Sequence, residues 1–88
     1  MAMWGADVTQ LKALGSKLLA GSQEIDNQRS LLTKALASTD WMGPDATKFR
    51  NEWNGEHSAN LTRAAQALQQ ASQQASRNAA DQESASSN

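Results

Sequence analysis

A single break divides this chain into two segments that both have helical periodicity, and it lies at Trp41-Met42-Gly43-Pro44-Asp45. Gly43 suits the non-helical position that caps a helix, and Pro44 suits the first helical position. An acidic residue directly after the proline favours the positive end of a helix. Because a connection this short makes two helices antiparallel neighbours, the sequence predicts an all-α hairpin. Helix 1 is expected at about 7–38, the turn at 39–43 and helix 2 at about 44–80.

The first helix is predicted to begin at Asp7, an N-cap residue with Gln10 three positions later. Large apolar residues then recur with heptad spacing, which predicts a seam that faces another helix; this seam contains Val8, Leu11, Leu18, Ile25, Leu32 and Leu36, and Trp4 extends it backwards. Gly15, Ser22 and Arg29 occupy its weak positions. We expect packing to override the low helix propensity of Gly15 and Gly21 and to keep one continuous helix.

The second helix shows a mixture of three- and four-residue intervals along its predicted seam, which contains Ala46, Phe49, Trp53, His57, Leu61, Ala64, Leu68, Ala71 and Ala75. Consecutive intervals of four around His57 resemble a stutter, which locally unwinds a supercoil. Large residues cluster near the turn and alanine follows further along, so we expect the distal half to be the looser end. Trp41 is expected to cover the end of the bundle. The serine-rich segment 81–88 predicts a disordered tail after a single domain at 1–80.

Composition indicates that this hairpin needs a partner. The chain has 88 residues, 39% of them hydrophobic, and no cysteine that could form a disulfide. Two helices in one layer cannot enclose a core, and Leu14, Leu19 and Leu31 widen the apolar stripe beyond one neighbour. We therefore predict that two hairpins pair into a four-helix bundle, with balanced charges favouring a homodimer. The predicted core and dimer interface contains Val8, Leu11, Leu14, Leu18, Leu19, Ile25, Leu32, Leu36, Phe49, Trp53, Leu61 and Leu68.

Charge and motif content argue against several other functions. Eight basic and nine acidic residues are mixed along the chain, which favours neither nucleic acid nor an anionic membrane as a partner. No secretory leader and no apolar run of membrane-spanning length is visible. His57 is the sole histidine, and it is more easily explained as a seam residue than as a catalytic base or a metal ligand. We expect no catalytic, cofactor or metal site, and hence no enzyme.

The turn carries a family resemblance, because Trp41-Met42-Gly43 is a Trp-x-Gly tripeptide between two helices of a small cysteine-free chain. The chain resembles the WXG family, the small early-secreted-antigen-like proteins of bacterial type VII secretion. The resemblance implies a helical hairpin that forms an antiparallel four-helix bundle with itself or with a sister WXG protein. It further implies a substrate, or a partner or chaperone of a substrate, that a membrane-bound ATPase machine exports from the cytoplasm without a cleaved leader.

One family element is degenerate in this chain. Many members carry a Tyr-x-x-x-Asp/Glu export signal after the second helix, and here Arg77 replaces the tyrosine four positions before Asp81. The resemblance therefore implies that a partner chain supplies the signal, or that this chain is not exported alone. The alternative hypothesis is an intracellular structural hairpin that scaffolds an unrelated complex.

Overall fold

The computed structural model describes the backbone of residues 6–87 and the side chains of residues 6–85. This part of the chain contains helices and no strand: α1 spans Val8–Ser38, α2 spans Pro44–Glu52, a π-helical turn spans Trp53–His57, and α3 spans Ser58–Ser87. The last three elements form one continuous arm, since the residues at both junctions keep right-handed helical angles. The predicted all-α hairpin is confirmed, whereas Trp4 lies outside the described residues.

The hairpin is a thin rod rather than a compact domain. It measures 66 × 17 × 15 Å and has a radius of gyration of 19.5 Å. A compact chain of 88 residues would have a radius of gyration of about 12 Å. The rod is therefore two helices wide and one helix thick, and every helix has a side that no other part of the hairpin covers.

Helix α1 begins and continues as its sequence predicts. The side chain of Asp7 accepts a hydrogen bond of 3.0 Å from the backbone N–H of Gln10, which satisfies one of the free donors of the first turn. The helix then runs without a break through Gly15 and Gly21 to Ser38. Packing against α3 outweighs the cost of about 1 kcal/mol that each glycine imposes on a helix.

The two arms meet along a line of small residues, and this line is the seam of the hairpin. The buried residues of the described chain are all Gly, Ala or Ser: Gly15, Ser22, Ala46, Ala65, Ser72, Ala75 and Ala79. Gly15 and Ser22 were predicted to be weak positions, yet they are where α1 approaches α3 most closely. The distal half, predicted to be looser, carries most of these buried residues, because small side chains allow the helix axes to come close together.

Two serines join the arms in a reciprocal manner. The hydroxyl of Ser22 donates to the backbone carbonyl of Ala65, and the hydroxyl of Ser72 donates to the carbonyl of Gly15, both at 2.6 Å. Both hydroxyls are buried, and each obtains a partner on the opposite helix, so neither suffers the cost of an unpaired buried polar group. These bonds fix the axial register of the antiparallel pair.

The π-helical turn changes which residues face α1. The backbone N–H of Ser58 bonds to the carbonyl of Trp53, five residues earlier, so one extra residue enters the arm at the position of the predicted stutter. Beyond the turn, Ser58, Ala65 and Ser72 lie on the seam instead of His57, Ala64 and Ala71. The predicted seam position of His57 is therefore wrong, and its side chain is exposed.

Leu32 and Phe49 also lie beside the seam of the hairpin rather than on it. Leu32 is about half exposed, and Thr33 faces α2 and the π turn in its place. Phe49 is also about half exposed, and Arg50 occupies the seam. A straight α-helix drifts by about 20° per heptad away from a strict seven-residue repeat, so a seam assigned by heptads shifts by one residue over a long helix.

The predicted end of helix 2 at about position 80 is wrong, because α3 continues to Ser87. Ala79 is almost completely buried and Gln82 is partly buried, which continues the contact with the start of α1. Glu83 adds a surface ion pair with Lys12, in which the oxygen and nitrogen lie 2.7 Å apart. Small and partly buried residues thus continue to face α1 in the serine-rich segment, and the helix extends through it.

Candidate interaction surface

The residue immediately before each seam residue lies on one common flank of the hairpin. On α1 these flank residues include Leu14, Gly21 and Leu32, and on the second arm they include Phe49, Leu61, Ala64 and Ala71. A methyl group added at Gly21 would lie 3.6 Å from Cδ1 of Leu68, so the two arms meet on this flank. The flank residues Leu14, Gly21, Leu32, Phe49, Leu61, Ala64 and Ala71, together with the partly buried Leu18, Ile25 and Leu68, form what we call the apolar face.

The apolar face is large and exposed. Leu14 is 49% exposed, and both Leu32 and Phe49 are similarly accessible. Since no side chain larger than serine is buried between residues 6 and 85, the hairpin leaves its large apolar side chains partly or largely exposed. This face runs along a side of the rod that is 66 Å long and about 17 Å wide.

Leu19 lies on the opposite flank. Five residues separate it from Leu14, which places the two side chains about 140° apart around the α1 axis. Leu19 is 40% exposed and lines a shallow polar groove whose other walls include Gln23, Asp26, Gln66, Gln69 and Gln73. One flat partner surface therefore cannot cover both Leu14 and Leu19, although the sequence had placed them in one interface.

The turn is held by an arginine that sequence reasoning missed. The guanidinium of Arg50 donates to the carbonyls of Trp41 at 2.7 Å and Thr39 at 2.9 Å, and more weakly to Leu36 at 3.5 Å. These carbonyls belong to the end of α1 and the turn, where helix geometry leaves acceptors unpaired. The cationic group also complements the negative end of the α1 dipole. The signal was the spacing of Ala46, Arg50 and Trp53, which share one helix face.

The glycine of the Trp-x-Gly tripeptide has a backbone conformation that explains its identity. Gly43 has φ 114° and ψ 177°, a region that essentially only glycine occupies. It is the N-cap of α2 with Pro44 at the first helical position, as predicted, and the N–H of Thr47 bonds to its carbonyl at 3.1 Å. The positive φ turns the chain back along α1 within a few residues.

The tryptophan of the tripeptide is partly exposed in the hairpin. Trp41 is 38% exposed, and its ring centroid lies 5.5 Å from that of Phe49, with the rings tilted by 54°. Neighbouring Met42 is 87% exposed. The rings of Trp41 and Phe49 form an apolar pair at the turn, which we call the tip cluster, and Asp45, Lys48 and Glu52 lie beside it.

Trp53 has a different role, in the joint between α1 and the π turn. Its indole N–H donates to the hydroxyl of Thr33 at 2.9 Å, and that hydroxyl donates to the carbonyl of Arg29 at 2.8 Å. The indole polar group is thereby satisfied in a partly buried place, as tryptophan N–H groups usually are. The ring of His57 lies 6.3 Å away, centroid to centroid, on the solvent side.

Arg77 and Asp81, predicted as a degenerate export signal, lie on the outer surface of α3. Arg77 and Asp81 are both exposed, and Arg77 lines the polar groove close to Gln73. Among the described residues, the ion pairs are Lys12–Glu83, Asp26–Arg29 and Lys48–Glu52. The weak surface pair that the four-residue spacing of Arg77 and Asp81 allows is not among them.

None of the helices in the described part of the chain combines the length and apolar character that crossing a lipid bilayer requires. Within the same residues, no three acidic or histidine side chains converge as metal ligands would. Comparison with protein-family models, with curated proteins and with solved structures found no significant match to this chain.

Proposed function

We propose that this protein is a dimeric helical interaction module of the WXG type, which serves as a substrate, or as a partner or chaperone of a substrate, in type VII secretion. The observation that carries the proposal is the apolar face: the hairpin buries only small residues and exposes Leu14, Leu32 and Phe49 on one flank. Burying an exposed leucine contributes roughly 1.5–3 kcal/mol, so a second hairpin on this face supplies the core that one hairpin lacks.

A second copy of the same chain is the occupant that the described surface favours. The apolar face carries almost no charge, so two identical faces meet without repulsion. The lysine, arginine and acidic side chains lie mainly outside it. In a two-fold dimer the same patch on both copies is used twice.

Light scattering after size-exclusion chromatography tests the dimer with a matched pair of variants. We expect the unmodified chain to be a dimer at tens of micromolar, and Leu14→Ser with Leu32→Ser to dissociate it. Leu19→Ser is the control, because Leu19 has similar exposure on the opposite flank, and this variant should remain a dimer. A folded monomer of the unmodified chain, judged by circular dichroism, would refute the proposal.

A secretion assay tests the type VII assignment separately. The Arg77 to Asp81 segment keeps the four-residue spacing of the family signal without its aromatic ring, so a receptor groove would lack an apolar anchor. We therefore expect poor export when this chain is the sole family member present, and export when a sister chain with the tyrosine is co-expressed. Absence from the culture supernatant in both cases would favour the intracellular scaffold. Efficient export alone, surviving deletion of residues 77–88, would show that the signal lies elsewhere.

A further inference from the structure

An Asn-Gly pair, Asn54-Gly55, lies in the π-helical turn between α2 and α3. Both residues are exposed, and a methyl group added at Gly55 would meet no atom within 4 Å. The side-chain amide of Asn54 makes no hydrogen bond to another described residue. The hairpin therefore leaves this pair uncovered and leaves the amide open to chemistry.

An asparagine that precedes glycine is chemically special, because no side chain hinders the backbone nitrogen that follows the amide. A regular α-helix opposes attack by that nitrogen on the side chain. Its ψ of about −42° holds the nitrogen out of line with Cγ, and the N–H belongs to the hydrogen-bond ladder of the helix. The reaction therefore requires local opening of the helix, and the free energy of that opening decides which asparagine reacts.

Local opening is favoured at the π turn more than elsewhere in the second arm. Hydrogen bonds five residues apart occur mostly as single strained turns, and Gly55 costs the helix about 1 kcal/mol relative to alanine. On one side, Trp53 remains tied to α1 by its bond to Thr33, and on the other Ser58 is partly buried. The four residues between them are all exposed. Opening can therefore stay confined to residues 54–57 without separating the two arms.

We propose that Asn54 is a modification site, at which the side-chain amide is converted to an acid by cyclisation onto Gly55. The backbone nitrogen of Gly55 attacks Cγ of Asn54, the Cγ–Nδ2 bond breaks, and ammonia leaves with the proton of the backbone N–H. Water then opens the five-membered succinimide at either carbonyl. One product is aspartate in a normal backbone, and the other is isoaspartate, whose main chain runs through Cγ. The whole change consumes one water and releases one ammonia, so no other reactant is required.

The modification changes the joint near the turn and not the apolar face. Asn54 directly follows Trp53, whereas the residues of the exposed apolar flank directly precede seam residues. Asn54 also lines a shallow groove with Arg50 and Leu36. A new carboxylate four positions after Arg50 competes with the carbonyls that its guanidinium holds. Isoaspartate adds one carbon to the main chain in the turn that brings Ser58 to the seam.

Peptide mapping by mass spectrometry measures the conversion during incubation of the unmodified chain at mildly alkaline pH. We expect Asn54 to convert several-fold faster than Asn51, Asn60 and Asn78, and chromatography to separate its aspartate and isoaspartate products. Gly55→Ala should suppress the conversion. A rate at Asn54 no greater than the rate at Asn60 would overturn the inference, and this comparison needs no variant.

Gln28→Gly supplies a matched control, because it places a glycine after the exposed Asn27 in the unbroken helix α1. The rate at each Asn-Gly pair in the folded chain is divided by its rate in guanidinium chloride, which removes the intrinsic reactivity of the pair. We expect the remaining protection to be about tenfold smaller at Asn54 than at Asn27, because the π turn opens more easily than the middle of α1. Equal protection at the two sites would overturn the role that we assign to the π turn.

Discussion

Replacing Gly43 by alanine isolates the backbone cost of the turn. The residue has φ 114° and ψ 177°, and a methyl group placed there would meet no atom within 4 Å. Any loss of stability must therefore come from the backbone conformation and not from a clash. Holding a residue other than glycine in this region costs about 1–3 kcal/mol, so we expect Gly43→Ala to lower the free energy of unfolding by that amount.

Gly55→Ala is the matched control, because it also adds a methyl group in open space. Gly55 lies in the π-helical turn and has no positive φ. Alanine there reduces the entropy of the unfolded chain and favours the helix, so stability should rise by about 0.5–1 kcal/mol. The two glycine-to-alanine changes are thus expected to shift the free energy of unfolding in opposite directions, because alanine is disfavoured at positive φ and favoured in a helix.

Urea unfolding followed by circular dichroism measures both variants. All chains should be compared at the same protomer concentration, since the stability of a dimer depends on concentration. In a thermal melt, each kcal/mol should move the midpoint by about 4–8 °C for a chain of this size. If Gly43→Ala were as stable as the unmodified chain, or if both variants shifted in the same direction, the turn would not require positive φ and our account of the tripeptide would be wrong.

Three further substitutions test the joints around the turn by the same unfolding measurement. Arg50→Lys should lower the free energy of unfolding by about 1–3 kcal/mol, because an ammonium cannot reach the carbonyls of Trp41 and Thr39 together. An unchanged unfolding midpoint would mean that water caps the end of α1 equally well. Trp53→Phe should lower the free energy of unfolding by about 0.5–1.5 kcal/mol, because it removes the hydrogen bond from the indole to Thr33. An unchanged stability would show that this hydrogen bond does not form in solution. Trp41→Ala should lower the free energy of unfolding of the hairpin by about 1–2 kcal/mol. This is less than the roughly 3–5 kcal/mol expected for a fully buried ring, because the indole is partly exposed. A larger loss that grows as the protein is diluted would indicate that a second copy covers the ring.

Local signals in the sequence located the helices and the turn. Asp7 accepts a hydrogen bond from Gln10 as its position predicts, and Gly43 with Pro44 starts the second arm. These features depend on a few neighbouring residues, because capping and turn geometry are satisfied within about one helical turn. The same locality makes the all-α class and the antiparallel arrangement predictable from the chain alone.

The sequence did not determine which residues face each other, because that depends on contacts between distant positions. The single extra residue of the π turn moved the seam from His57 to Ser58, and drift away from the heptad repeat left Leu32 and Phe49 beside the seam. Heptad counting favours large apolar residues as the seam, yet close approach of two helices selects the small ones, Gly15 and Ser72 among them. Tertiary structure also decided the role of Arg50, whose acceptors lie on the other side of the turn. The sequence by itself determined where the chain bends. Which apolar side chains remain exposed was decided only by the packing of one arm against the other, because burial is a property of the pair of helices and not of either one.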